Sequence, residues 1–341
     1  MVIGVCSLFP LLIDRLTRLI PIAVALGVTL FVYDPAVAQE SITYRLKWLI
    51  NMSTVGDIVA VHRGCFEEQG LTVTLKSGGP ERDAIRDLEL GHADFGVASG
   101  DQVIQAISKG SPVVVIAQLF QKNPLQWVYF KNKIRIDGLT DLKNKTIGVT
   151  FGKNDEIIMR TLLVKSGLSD RQVRLYSVRL DYTPFYKGVA DLWPVYINTQ
   201  GVEIGHRLTA SGASIAFLDP ESYGVFFVAN SVVTSKRLLE EHPERVQRFI
   251  KGLIKGWTTA VEGTDSDRIV EDVRQYDRDT SRDLLFAQLD QTRALVKPDE
   301  SFSIGRINVP AWEQTETIML ANQQIDRPVN VGAHLRIEFV E

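Results

Sequence analysis

The stretch GHADFGVASGDQVIQAISKG, Gly91 to Gly110, carries the pattern on which the fold turns. Asp94 to Ala98 is a short apolar run suited to a buried parallel strand. Ser99-Gly100-Asp101 then supplies N-cap chemistry just ahead of the helical spacing Val103, Ile104, Ile107. A strand that runs into a capped helix is half of a βαβ unit. In an open parallel sheet, ligands bind beyond the carboxyl ends of the strands, at turns of this kind, so Ser99, Gly100 and Asp101 are candidate site residues. The pattern returns about 100 residues later, where Gly188-Val189-Ala190-Asp191 repeats the Gly-x-Ala-Asp of Gly91 to Asp94 and opens the apolar run Leu192 to Ile197. Two similar units imply two similar lobes.

On the N-terminal side of this stretch, Ile42 to Ile50 alternates around Tyr44, Leu46 and Trp48 and reads as a first strand. A helix around Ile58 to His62, a strand Leu71 to Leu75 and a helix Glu81 to Leu90 opened by Pro80 follow. On the C-terminal side, Val113 to Leu119 and Leu125 to Phe130 are strands. A second α/β series then runs through Thr146 to Thr150, helix Asp155 to Lys165, Val173 to Val178, a short helix near Tyr186, Leu192 to Ile197, helix Gly201 to Ala210 and Ser214 to Leu218. Phe226 to Val233 crosses back, and from Lys236 the chain is helical, with a long amphipathic helix from Pro243 through Val261. Alternation of this kind predicts mainly parallel sheets flanked by helices.

Met1 to Ala38 has a different character. Arg15 and Arg18 precede Leu19 to Val32, an uncharged run too short for the roughly 20 residues of a membrane span, and Ala36-Val37-Ala38 has the small-x-small form of a signal-peptidase site. Export to the periplasm with cleavage after Ala38 is the expectation. The 341-residue chain has a net charge of −3, spread without long charge runs, which gives no reason to invoke nucleic acid. Past Ala38 the only cysteine is Cys65, read as a small buried side chain.

Several motifs, taken in order, carry a family resemblance: Trp48, the run AVHRGCFEEQGL from Ala60 to Leu71, Gly91-x-Ala93-Asp94-Phe95-Gly96-Val97 and Gln121-x-x-Pro124. Leu139-x-Asp141-Leu142-x-x-Lys145-Thr146-Ile147-Gly148-Val149 and Gly188-x-x-Asp191 complete the series. Together they resemble the solute-binding proteins of ABC importers, in the branch for nitrate, sulfonates, taurine and thiamine pyrimidine precursors. The resemblance covers essentially the whole chain past the leader. It implies a type II periplasmic-binding-protein fold, α/β, with two lobes joined by a two-strand hinge, a small ligand and docking on an ABC permease. Lobe one is expected from residues 41–129 and 230–341, and lobe two from residues 130–229. The pyrimidine-precursor members carry Trp-x-Pro-Asn-x-x-His where this chain has Trp48-Leu-Ile-Asn51-Met-Ser-Thr54, and Asn-Glu-Pro where it has Asn198-Thr199-Gln200.

The loops at strand ends give the candidate site residues: Trp48, Asn51 and Asp57 after the first strand, and Ser99 to Asp101 after the third. Phe151, Asn154 and Asp155 stand at a helix start, Trp193, Tyr196 and Asn198 at a strand end, and Tyr223 in the DPESY turn. Aromatics offer flat walls, and Asn, Ser and Asp offer directional hydrogen bonds. Tyr182, Phe185 and Tyr186 read as core. Among the charges of these loops Lys153 is the only base, beside Asp57, Asp101, Asp155, Asp219 and Glu221, which favours a planar neutral or weakly cationic heterocycle over an oxyanion.

Gly148 to Asn154 lacks the spacing and hydroxyl of a phosphate loop, and His62, His92, His206, His242 and His334 are scattered without metal-ligand spacing. The expectation is therefore a monomeric, cofactor-free and metal-free binding protein without turnover. Alternatives are an anion binder, a ligand-sensing subunit of a membrane kinase, or a pyrimidine-synthase-like enzyme.

Overall fold

A computed structural model describes residues 39–79, 81–179 and 181–340; the expected leader lies outside the described residues. The chain begins with β1 (Glu40–Arg45), α1 (Val55–His62), β2 (Leu71–Lys76), α2 (Ala84–Glu89), β3 (Phe95–Ala98), α3 (Gly100–Ser108) and β4 (Val113–Gln118). After residues 119–124 come β5 (Leu125–Phe130), β6 (Thr146–Val149), α4 (Asn154–Lys165), β7 (Arg174–Ser177), α5 (Thr183–Tyr186), β8 (Leu192–Tyr196), α6 (Gln200–Ala210) and β9 (Ile215–Leu218). Residues 219–230 lead back to β10 (Ser231–Ser235) and the helices α7 (Lys236–Glu241), α8 (Pro243–Glu262), α9 (Ser266–Arg274), α10 (Arg282–Val296) and α11 (Val309–Ala321). Among the described residues no helix is long and apolar enough to cross a membrane.

Two five-stranded sheets result, in the orders β2-β1-β3-β10-β4 and β7-β6-β8-β5-β9. In the first, β1 runs parallel to β2 and β3, whereas β10 is antiparallel to both its neighbours. In the second, β6 runs parallel to β7 and β8, and β5 is antiparallel to β8 and β9. The reversed strand of each sheet is the one formed directly after the chain changes sheets. The expected placement of Leu125 to Tyr129 in the first lobe is therefore corrected. This strand pairs only in the second sheet, so the chain leaves the first sheet at 119–124. An apolar run records that a strand is buried, not which sheet receives it.

The repeated Gly-x-Ala-Asp has a local cause. Gly91 and Gly188 sit at φ +70° and +72°, the left-handed conformation that ends a helical turn, and the following Ala93 and Ala190 are buried. Asp94 and Asp191 then accept, through Oδ2, the backbone N–H of Thr43 and Thr146 on the adjacent strand, both at 2.8 Å. The same four residues thus end a helix and tie the next strand to its neighbour in each half.

Two boundaries shift for similar local reasons. β1 stops at Arg45 because Trp48 leaves the ladder, its carbonyl accepting from the Gly78 N–H at 2.8 Å. α2 starts at Ala84 because the Asp83 carboxylate accepts from the N–H groups of Ile85 and Arg86. In the first half, Phe249 of α8 stacks on Phe95 and Phe66 and meets Tyr44 edge-on, fixing the long helix against the sheet. Cys65 is buried in this core.

Candidate functional site

Between the carboxyl ends of the two sheets lies an open cleft, a space of about 1200 Å³ when the adjoining solvent at its mouth is included. The first half contributes the β1–α1 loop with Lys47, Trp48 and Asn51, Asp57 from the first turn of α1, the approach to α2 with Arg82 and Asp83, and Gln102 from α3. The second half contributes Thr150 and the start of α4 with Lys153, Asn154 and Asp155, then Arg179 and Tyr182, and the end of β8 with Trp193 and Tyr196. Asn230, on the return segment, completes the wall.

Asp57 is almost wholly buried, and its Oδ1 accepts from the Tyr44 hydroxyl at 3.0 Å and the Trp257 indole N–H at 3.3 Å. Burial pushes its carboxyl up to about 7, against the pull of those two hydrogen bonds. Asp155 is pushed up to about 6 by the same cause, although its Oδ2 accepts the Thr150 N–H. Asn154 is buried with its Nδ2 lacking a hydrogen-bond partner. Bonds also span the cleft: Lys47 Nζ donates to the Tyr196 hydroxyl at 2.5 Å, and Lys153 Nζ lies 3.5 Å from Asp83 Oδ2.

Of the sequence-derived candidates, Trp48, Asn51, Asp57, Asn154, Asp155, Trp193 and Tyr196 line the cleft. Ser99, Gly100, Asp101, Phe151, Asn198 and Tyr223 do not. The Ser99–Asp101 turn is sealed by the return segment: the Gly100 N–H donates to the Val228 carbonyl, and a Cβ at Gly100 would stand 2.8 Å from Val228 Cβ. Asp101 is fully buried with neither oxygen hydrogen-bonded, and burial raises its pKa. Gln102, one residue on, is what this turn sends to the cleft. Phe151 is half exposed and does not line the cleft. Asn198 is spent on the other half of the molecule, its Nδ2 donating to Ser53 Oγ at 3.1 Å and Thr292 Oγ1 at 2.9 Å. The 220–223 turn faces the first crossing, where Glu221 accepts from the Asn123 N–H.

The charge reading also changes. Lys153 is joined in the cleft by Lys47, Arg82 and Arg179, so four cations face Asp57, Asp83 and Asp155. Arg82 and Arg179 lie in loops whose direction depends on the tertiary fold, and Lys47 was passed over as one step of an alternating strand. Tyr182, read as core, both packs on Trp193 and lines the cleft.

Residues 51–265 match the family described as NMT1/THI5 like. Over 319 residues the chain is 23% identical to the riboflavin-binding protein RibY of Chloroflexus aurantiacus, covering 88% of this chain and 86% of that one. Over 301 residues it is 25% identical to the formylaminopyrimidine-binding protein of Halalkalibacterium halodurans, covering 86% and 88%. The alkanesulfonate-binding protein SsuA of Xanthomonas axonopodis pv. citri shares the fold, with a TM-score of 0.66 at 17% identity over 88% of this chain and 98% of that one. These are periplasmic-binding-protein folds, and with more than half of its length matched, this chain belongs to the NMT1/THI5-like family.

Proposed function

We propose that this chain is an exported solute-binding protein that captures a small planar heterocycle between two lobes and delivers it to an ABC permease. The lobes are residues 39–118 with 231–340, and residues 125–218, joined by the segments 119–124 and 219–230. The observation that carries this reading is a cleft with aromatic walls from both halves, Trp48 on one side and Tyr182 and Tyr196, backed by the buried Trp193, on the other, interleaved with hydrogen-bonding groups. Two relatives named for flat nitrogen heterocycles, riboflavin and formylaminopyrimidine, support the same class.

Trp48, Asn51, Asp57, Asn154, Asp155, Trp193 and Tyr196 are proposed as ligand contacts. The protein acts stoichiometrically, holding its ligand by hydrogen bonds and flat surfaces; among the described residues, the cleft lining includes neither histidine nor cysteine. Asp57, whose raised pKa resembles that of a catalytic acid, has Oδ1 committed to Tyr44 and Trp257. A second reading, an organic anion such as a sulfonate, is favoured by the four cations of the cleft.

Native mass spectrometry of protein purified without refolding, followed by calorimetry, tests the proposal. One heterocycle bound per chain and recovered unchanged is the expected result. Tight binding of an alkanesulfonate with no response to flavins or aminopyrimidines transfers the assignment to the second reading. Consumption of ligand in excess of protein overturns the non-enzymatic role.

A further inference from the structure

The cations of the cleft are not equivalent. Arg82 and Arg179 are exposed at its mouth, and Lys153 stands 3.5 Å from the Asp83 carboxylate. Lys47 is half-buried in the wall, immediately before Trp48, and forms no ion pair among the described residues. Its Nζ donates to the Tyr196 hydroxyl at 2.5 Å and lies 5.2 Å from the centre of that ring, so it reaches across the space a ligand would enter. Asp101 and Asp155 lie near enough for their charges to interact favourably with it, yet neither accepts a hydrogen bond from it. An ammonium has three N–H donors and no lone pair, and the phenol uses one of them.

The other polar groups of the wall are less selective. The amides of Gln102, Gln200 and Asn230 can each donate or accept, and the Asp57 carboxylate can accept from a ring N–H or an amino group alike. Lys47 can only donate. An amino substituent placed against it sets donor against donor in a partly dehydrated site, whereas a carbonyl oxygen completes its bonding. A site built on such a partly dehydrated polar group discriminates against an analogue that leaves it unpaired.

We propose that Lys47 is a specificity-determining residue that selects, among planar heterocycles, those presenting an oxo edge, as in a pyrimidinedione, over those presenting an amino edge. This rests on the heterocycle reading above. The lysine is legible in the chain itself, at the start of the first βα loop.

The test is calorimetric titration of the wild-type protein and of Lys47→Met with a matched pair, lumazine (2,4-dioxopteridine) and 2,4-diaminopteridine, which share a ring system and differ in the edge. Wild-type protein is expected to bind the dione at least tenfold more tightly. Lys47→Met should remove that preference, weakening the dione and, by relieving the clash of donors, binding the diamine more tightly than wild type does; diamine binding also reports that the variant is folded, and a preference that persists in the variant overturns the assignment. Should Lys47→Met fail to fold, Lys47→Gln, whose amide can accept as well as donate, takes its place and should narrow the preference; an undiminished preference there overturns the assignment equally. Equal affinities in the wild-type protein, or a preference there for the diamine, overturn the assignment of Lys47 and leave the heterocycle reading standing. No binding of either pteridine, of riboflavin or of an aminopyrimidine removes that reading and this inference with it.

Discussion

At the foot of the cleft, Asp57 joins the site to the stability of the whole first half. Its carboxyl is removed from water and held by the Tyr44 hydroxyl and the Trp257 indole, and the balance raises its pKa from the ordinary 3.8 to about 7. The folded protein therefore holds this proton more tightly than the unfolded chain does. Its contribution to stability is fully present below about pH 4 and is lost as pH rises toward and through about 7. Asp155 acts in the same direction, over a range ending near 6. Denaturant unfolding should show stability falling between about pH 4 and pH 7 by an amount on the order of a few kcal/mol. Asp57→Asn, which keeps an acceptor for both donors, should flatten that slope, and an unchanged slope would assign the effect elsewhere. Asp57, like Trp48 and Asn51, was legible in sequence because it follows the first strand of a βα unit, where a loop opens onto the sheet end. Ser99 to Asp101 has the same local pattern and failed because Val228, more than 100 residues away, covers it. Lys47, Arg82 and Arg179 carry no local signature that separates a cation facing a cleft from one facing solvent.

Among the elements, the contact between α1 and α8 shows how closely the sequence dictates packing. A Cβ on Gly256 would stand 2.4 Å from Ala60 Cβ and 2.6 Å from the Gly56 carbonyl oxygen, and one on Gly56 would stand 2.0 Å from the Trp257 ring. The helices meet backbone to backbone at small residues, and this approach places the Trp257 indole within reach of Asp57. Backbone atoms cannot yield as a flexible side-chain end can. Gly256→Ala should therefore destabilise the fold by about 2 kcal/mol or more, read as a lowered midpoint in thermal or denaturant unfolding, with weakened ligand binding because Asp57 moves with α1. An unaltered midpoint would mean the two helices separate without cost. Element types and order were legible throughout: period-two runs became strands, and the amphipathic stretch from Pro243 became α8 within a residue of its expected end. Strand pairing was less so. β5 (LQWVYF) and β10 (SVVTS) are both almost wholly buried, and neither pattern says which sheet receives the strand after the crossing that precedes it.

For the molecule as a whole, the proposed capture requires the halves to move about the crossing segments, and their bonds divide by position. Behind the cleft the two crossings are tied together by Asn123, whose Nδ2 donates to the Phe227 carbonyl at 3.0 Å. Close by, the Ile197 N–H donates to the Pro124 carbonyl, and Asn198 enters the opposite half to reach Ser53 and Thr292. Across the open side stand the more exposed Lys47–Tyr196 and Lys153–Asp83 contacts. Bonds near a pivot survive a rotation that breaks bonds far from it, so Asn198 is placed to act as an axle between the halves, with the other pair as a clasp. Asn198→Ala removes a donor from two buried hydroxyls; Thr292 Oγ1 keeps its bond to the Gln288 carbonyl, whereas Ser53 Oγ loses its side-chain partner, a cost of roughly 1–3 kcal/mol in a buried site. That loss falls on the interface and not on either core. Small-angle scattering should therefore show a larger radius of gyration for ligand-free Asn198→Ala than for ligand-free wild type, with little change in the unfolding midpoint of each half. Saturating ligand should bring both proteins to the same compact dimension, at a higher ligand concentration for the variant, since part of the binding free energy then goes into aligning the halves. A ligand-free variant as compact as wild type would show that the crossings alone hold the halves, and an unchanged radius on saturation of wild type would count against closure itself.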